Sequence, residues 1–124
     1  MSNFVRAIIK NVNGELLMVY SAKYHQWNLP GGKIYPGERP ENAIMREVKE
    51  EVNLDMIACR KKFERDFNFH ESSVRGYFFE MMADLSEIKI TRPYEIAKVG
   101  FFSPSNIIGK QFSTVIRSCR ENIR

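Results

Sequence analysis

Three glutamates, Glu47, Glu50 and Glu51, occupy positions i, i+3 and i+4 in a segment whose apolar residues recur at a helical period. At about 100° per residue they fall within an arc of roughly 100° on one helix face. Like charges so placed repel by about a few tenths of a kcal/mol per pair. Two of them approach the helix C-terminus, where the macrodipole disfavours anions. Local stability does not select that arrangement. A solvated helix face tolerates it, whereas a hard divalent cation rewards it, because Mg²⁺ takes oxygen ligands and turns repulsion into coordination. Ile44, Met45, Val48 and Val52 form an apolar stripe beside the acidic arc, so the helix is expected to pack on a sheet. Ala43 falls on the acidic side, where its small side chain would leave room for a metal or phosphate. Pro40 suits the first helical turn, Arg39 is a poor N-cap, and Glu41 complements the dipole.

The flanks read as strands. Residues 4–12 form one, Asn13-Gly14 is a hairpin signal, and residues 16–20 are the expected partner. A polar loop over 21–26 leads through Trp27-Asn28-Leu29-Pro30 to Gly31-Gly32, whose backbone is able to approach a ligand closely or simply to turn. Pro36-Gly37 supplies a type II-like turn. Residues 55–67 and 74–83 read as long strands joined by a loop through Asn68-Phe69-His70-Glu71, and 97–102 as a shorter one. Ile108, Phe112, Val115, Ile116 and Cys119 predict a closing helix over 107–123. Strands on both sides of one helix, with a second helix at the end, give an α/β layered fold.

Length and composition set the remaining bounds. The 124 residues, 44% hydrophobic, suit one domain spanning 1–124 with a substantial core. No segment reaches the 18 or so apolar residues of a membrane helix, and the N-terminus lacks a signal-peptide core, so a cytoplasmic location is expected. Cys59 and Cys119 lack metal-ligand spacing and are expected to be reduced. The net charge of +4, despite the acidic cluster, places positive charge elsewhere, including Arg60, Lys61, Lys62, Arg117, Arg120 and Arg124. Such a surface suits steering of an anionic phosphate ester, and ordinary solubility explains it as well. No nucleic-acid-binding motif accompanies it, so nucleic acid is not the expected partner.

Taken together, Gly32, Glu38, Arg46-Glu47-Val48, Glu50-Glu51 and Asn53-Leu54 make the pattern G-x5-E-x7-R-E-V-x-E-E-x-N-L. Six fixed residue types at a background of roughly 6% coincide about once in ten million starts. The segment from Trp27 to Leu54 resembles the Nudix hydrolase family, with one departure: Asn53 stands where the family usually has glycine. Asn is the next most tolerated residue in the left-handed conformation that ends a helix. The resemblance implies an α/β/α sandwich with a mixed sheet. It further implies Mg²⁺, with Mn²⁺ as a substitute, and water-mediated cleavage of a diphosphate linked to another moiety, X. Carried over by motif position, Glu47 and Glu51 are the principal metal ligands. Glu50 shares coordination or deprotonates the water, and the Gly32 carbonyl contributes to the metal site. Glu38 and Arg46 form an ion pair that orients the loop on the helix.

Outside the motif, Glu95 is the candidate for the extra carboxylate that family members place in a loop, sometimes as the base; a surface glutamate is the plain alternative. Glu64, Asp66 and Glu71 rank behind it, and His25 and His70 read as surface residues. Lys33 is a candidate phosphate contact, with a solvated lysine as the equal alternative, and Trp27, Tyr24 and Phe78 are candidates for stacking on a base, against the commoner role of core aromatics. The run from Trp27 to Val52 is most similar to the mutator-type nucleoside triphosphate pyrophosphohydrolases, which convert an NTP or dNTP, oxidised forms included, to a monophosphate and pyrophosphate. The proline typical of ADP-ribose enzymes and the tyrosine typical of dinucleoside polyphosphate enzymes are missing from residues 69–72. Hydrolysis of another nucleoside diphosphate derivative, action on an RNA 5′ end, and a catalytically silent nucleotide sensor are the alternatives. Monomer and homodimer are both compatible with the sequence.

Overall fold

In the computed structural model, which describes residues 2–124, the acidic segment is a helix, α1 (Pro40–Val52). Pro40 opens it without a side-chain cap from Arg39. Asn53 closes it in the left-handed region at φ 64°, its N–H donating to the Lys49 carbonyl. Ile44, Val48 and Val52 are fully buried, as their stripe predicts. Met45 is not; it remains 38% exposed. The buried arc runs from Ala43 through Glu47 and Glu51 to Ile44, Val48 and Val52, and Met45 lies just past its edge on the helical wheel. Ala43 is accordingly a core residue and leaves no room for a ligand.

The strands are β1 (Phe4–Ile8), β2 (Leu16–Ser21), β3 (Trp27–Asn28), β4 (Gly31–Lys33), β5 (Met56–Phe69), β6 (Ser72–Ala83) and β7 (Ile96–Phe102). One sheet has the order β4-β1-β6-β5 and the other β3-β2-β7. In the first, β1 runs antiparallel to β4, with Val5 opposite Gly32, and parallel to β6, with Ala7 opposite Phe79. β5 and β6 form a long antiparallel hairpin that turns at His70-Glu71. The sheet is therefore mixed, and the fold is α/β as expected.

β2 is not the hairpin partner of β1. Contact between them ends after the Lys10–Leu16 bridge and the bond from the Leu17 N–H to the Ile9 carbonyl. The chain then changes sheets, and β2 pairs with β3 and β7. Leu16, Leu17, Met18 and Val19 are all buried, so both faces of this strand need apolar cover, which a two-stranded hairpin cannot supply.

Alternation along β1 divides the core. Val5, Ala7 and Ile9 pack toward Ile44, Val48 and Val52 of α1. Phe4 and Ile8 point the other way, into a cluster with Phe67, Phe78, Phe112, Ile116 and Ile123. The C-terminal segment covering that second face is mostly irregular. The helix expected over 107–123 shrinks to α2 (Thr114–Ser118), capped by the Ser113 hydroxyl, because Gly109 takes φ 90° and turns the chain before it. Ile107, Phe112, Ile116, Cys119 and Ile123 are buried all the same. Their spacing reports burial rather than a continuous helix. Both cysteines are free, and among the described residues no helix is long and apolar enough to cross a membrane.

Candidate functional site

Glu47 and Glu51 are the buried carboxylates, 7% and 4% exposed. They reach that depth because α1 lies against β4, where Gly31 and Gly32 present bare backbone. A Cβ on Gly32 would lie 2.7 Å from the Glu47 carboxyl carbon. One on Gly31, at φ 152°, would lie 2.0 Å from the Val5 carbonyl oxygen. The Gly31 N–H donates to Glu51 Oε1 at 2.9 Å. Burial raises the Glu51 pKa to about 8, against the opposing pull of the Arg6 charge and the Gly31 N–H. Burial likewise raises that of Glu47, partly offset by Arg46.

Arg46 organises the rim. Its Nε and Nη2 donate to the two oxygens of Glu38 at 2.8 and 2.9 Å, a bidentate pair, and Nη2 also reaches the Lys33 carbonyl at 3.0 Å. Nη1 donates to Glu47 at 2.8 Å and Glu50 at 3.2 Å. The guanidinium lies 3.9 Å from the centre of the Tyr35 ring. Glu38 also accepts the Tyr35 N–H, and Arg46 above all holds its pKa down at about 2. One side chain thus ties the 33–38 turn to the helix and steadies two of the three helical glutamates.

Whether these residues suit a divalent cation is a question of donor chemistry. Among the described residues, no three His, Cys, Asp or Glu side chains already stand in ligating geometry; Arg46 pairs with Glu47 and Glu50, and Arg92 with Glu50. The donors are all oxygen, and two of them are buried carboxylates whose charge is costly without a partner. Glu50 adjoins them on the helix, and the Glu95 charge reaches both from the loop before β7. Such a set fits a hard cation able to assume the neutralising role of the arginines.

Glu47, Glu51 and Glu95 line an open space of about 440 Å³, together with Lys23, Tyr24, Lys33 and Arg92, whereas Glu50 lies outside that lining, paired with Arg46 and Arg92. Glu47, Glu51, Glu95, Gly32, Lys33 and Tyr24 are thereby brought to one opening. Trp27 is held instead by Tyr20 and Phe102, with ring centroids 5.2 and 4.8 Å away, and lies outside this lining. Phe78 is fully buried and stacked at 4.3 Å on Phe63. It is a core residue, not a surface for a base; its strand position faces the second cluster.

A cleft of about 290 Å³ adjoins the acidic space and shares Arg6, Asn28, Gly32 and Lys33 with it. Its apolar walls are Phe4, Phe69, Val74 and Val115, and Ser113 and Thr114 border it. Arg6 donates from Nη1 to the Leu29 carbonyl at 3.0 Å, while its Nε is buried with no partner among the described residues. An unsatisfied buried donor costs about 1–3 kcal/mol. Burial lowers the Arg6 pKa, opposed by the charges of Glu51 and Glu47. The sequence reading missed Arg6, Lys23, Asn28 and Arg92. A charged residue inside an otherwise apolar strand was the available signal for Arg6; nothing local marked the others.

The NUDIX domain family model matches residues 4–118 of the chain. An RNA pyrophosphohydrolase of Yersinia enterocolitica is 45% identical over 51 residues, covering 41% of this chain and 29% of the relative. The match therefore spans less than a third of that relative's length. The crystal structure of a MutT protein from Methanosarcina mazei superposes with a TM-score of 0.83 at 25% identity, covering 98% of this chain and 91% of the other. A Caenorhabditis elegans Ap4A hydrolase superposes at 0.73 with 18% identity, over 96% and 93% of the two chains, a likeness of fold. With the motif on α1, the glycine strand beneath it and a family match across nearly the whole chain, this protein belongs to the Nudix hydrolase family.

Proposed function

We propose that the protein is a Mg²⁺-dependent nucleotide pyrophosphohydrolase that cleaves an NTP or dNTP, oxidised forms included, to a monophosphate and pyrophosphate. The observation that carries this reading is the buried pair Glu47 and Glu51, set over a glycine strand at the mouth of a space ringed by Lys23, Lys33 and Arg92. Glu47, Glu51 and the Gly32 carbonyl would hold the cation; Mn²⁺ has the same hard-oxygen preference. Bound there, the metal lowers the pKa of a water and neutralises phosphoryl oxygens.

The remaining work falls to the chain itself. Glu50, which pairs with Arg46 and Arg92, would share the cation or accept a proton at a carboxylate oxygen, and Glu95 lines the same opening as Glu47 and Glu51. Lys33, Lys23 and Arg92 neutralise the phosphate chain, and Tyr24, 68% exposed, stands beside them. Arg46 and Glu38 keep the glycine strand and helix in register. The adjoining aromatic cleft accommodates the nucleoside.

Pyrophosphate release over a nucleotide panel, with and without Mg²⁺, tests the reading. Metal-dependent conversion of a triphosphate to the monophosphate supports it. Saturable binding without turnover of any nucleotide favours a silent sensor and sinks it. A second reading, removal of pyrophosphate from an RNA 5′ end, draws on the 45% identity to the Yersinia enzyme over 51 residues. A 5′-triphosphate oligonucleotide belongs in the same panel.

A further inference from the structure

Arg6 is a guanidinium set into the wall between the acidic space and the aromatic cleft, and the pyrophosphohydrolase reading gives it no task. Alternation along β1 puts its side chain on the cleft side, between Phe4 and Ile8 and away from α1. The Phe4 ring centre lies 5.7 Å from the guanidinium carbon. Of its donors, Nη1 is spent on the Leu29 carbonyl, and Nε has no partner among the described residues. Native proteins rarely leave such a group unpaired without a functional reason.

We propose that Arg6 is a specificity residue that selects guanine over adenine in the aromatic cleft, by donating to the acceptors on the guanine six-position oxygen and seven-position nitrogen. The proposal rests on the nucleotide reading of the adjoining site. Guanine offers two acceptors on that edge, whereas adenine offers one acceptor and an amino donor. Arginine is donor-only, so adenine would set N–H against N–H. Phe4 and Phe69 provide the flat apolar walls that a base needs.

A phosphate is the competing partner for the same guanidinium, and the cations around the acidic space set it aside. Phosphates have other cations nearer to hand, since Lys23, Lys33 and Arg92 line the acidic space. Asn28 borders both spaces as well; its Oδ1 accepts the Leu29 N–H, leaving the amide N–H₂ toward the same junction.

The test is equilibrium binding of GMP, IMP, AMP and 7-deaza-GMP to the full chain, read by calorimetry or NMR, and repeated on Arg6→Gln. Binding, unlike turnover, separates this claim from the hydrolase claim. GMP and IMP should bind about tenfold or more tighter than AMP, and 7-deaza-GMP, lacking the seven-position acceptor, should lose most of that margin. Arg6→Gln should narrow the GMP-to-AMP ratio to within about threefold. Equal affinity of the wild type for GMP and AMP overturns the proposal. So does an Arg6→Gln variant that weakens both equally, which marks a phosphate contact. Should that variant fail to fold, the wild-type series with 7-deaza-GMP decides alone. Base-selective binding without hydrolysis keeps Arg6 and sinks the hydrolase; hydrolysis without base preference does the reverse.

Discussion

Arg46 and Arg75 each gather carboxylates, and their surroundings differ. Arg75 bridges Glu64 at 2.6 Å and Asp66 at 2.7 Å across the β5–β6 hairpin, with Lys61 completing the group at 2.6 Å from Glu64. Its side chain is 39% exposed and Asp66 59%, so water and salt screen most of that attraction. Arg46, at 20%, bonds Glu38, Glu47 and Glu50 against a glycine strand that lets carboxylates sink below the surface. Charge grouping alone does not mark a site. Enclosure beside bare backbone sets the proposed one apart, because there burial raises the carboxylate pKa.

The largest effect that separates the two regions is on turnover. Glu51→Gln should lower kcat by about two orders of magnitude or more while the far-ultraviolet circular dichroism stays native, since it removes carboxylate charge at the proposed metal position. Near-normal kcat in a folded variant breaks the assignment. Gly32→Ala comes next. Its Cβ meets the Glu47 carboxylate at 2.7 Å, so we expect a loss of about 1–3 kcal/mol in urea unfolding together with a reduced kcat/KM.

Arg46→Ala strips the partner from Glu38, Glu47 and Glu50 and should destabilise the metal-free protein by about 2 kcal/mol in the same assay. Arg75→Ala should scarcely move the midpoint. Equal effects at the two arginines would dissolve the contrast.

pH sharpens it further. The Glu51 pKa is raised to about 8 in the fold, so its contribution to stability is complete below an ordinary glutamate value and is lost as pH rises through about 8. Without divalent metal, the midpoint should therefore fall between pH 5 and 8, through this group. Glu51→Gln should flatten the slope, and added Mg²⁺ should restore the midpoint at pH 8.

Sequence logic reached the parts of this fold that are set by short-range rules. The helix bounds, the Asn53 cap, the facing of Glu47 and Glu51 and the long hairpin all follow from spacing within a few residues. Packing decided the rest. Ala43 joins the core and Met45 leaves it because α1 packs on β4, which turns the buried arc toward the acidic side. β2 pairs with β3 and β7 instead of β1, and its two faces, Leu17 with Val19 and Leu16 with Met18, pack into the two core clusters. An aromatic residue carries no label for core or site, so sequence alone admits Phe78 as a stacking surface where packing buries it. Arg6 gains its meaning only once β1 meets β4 and β6, a contact between distant stretches of chain.

That last pairing has a kinetic side. Residues 4–8 run parallel to residues 76–80 at the middle of the sheet, and closing so long a loop is entropically slow. The acidic helix is synthesised before the strand that completes its platform. Competence to handle a ligand therefore arrives late and all at once, when the first strand of the chain is clamped by one made more than half a chain later.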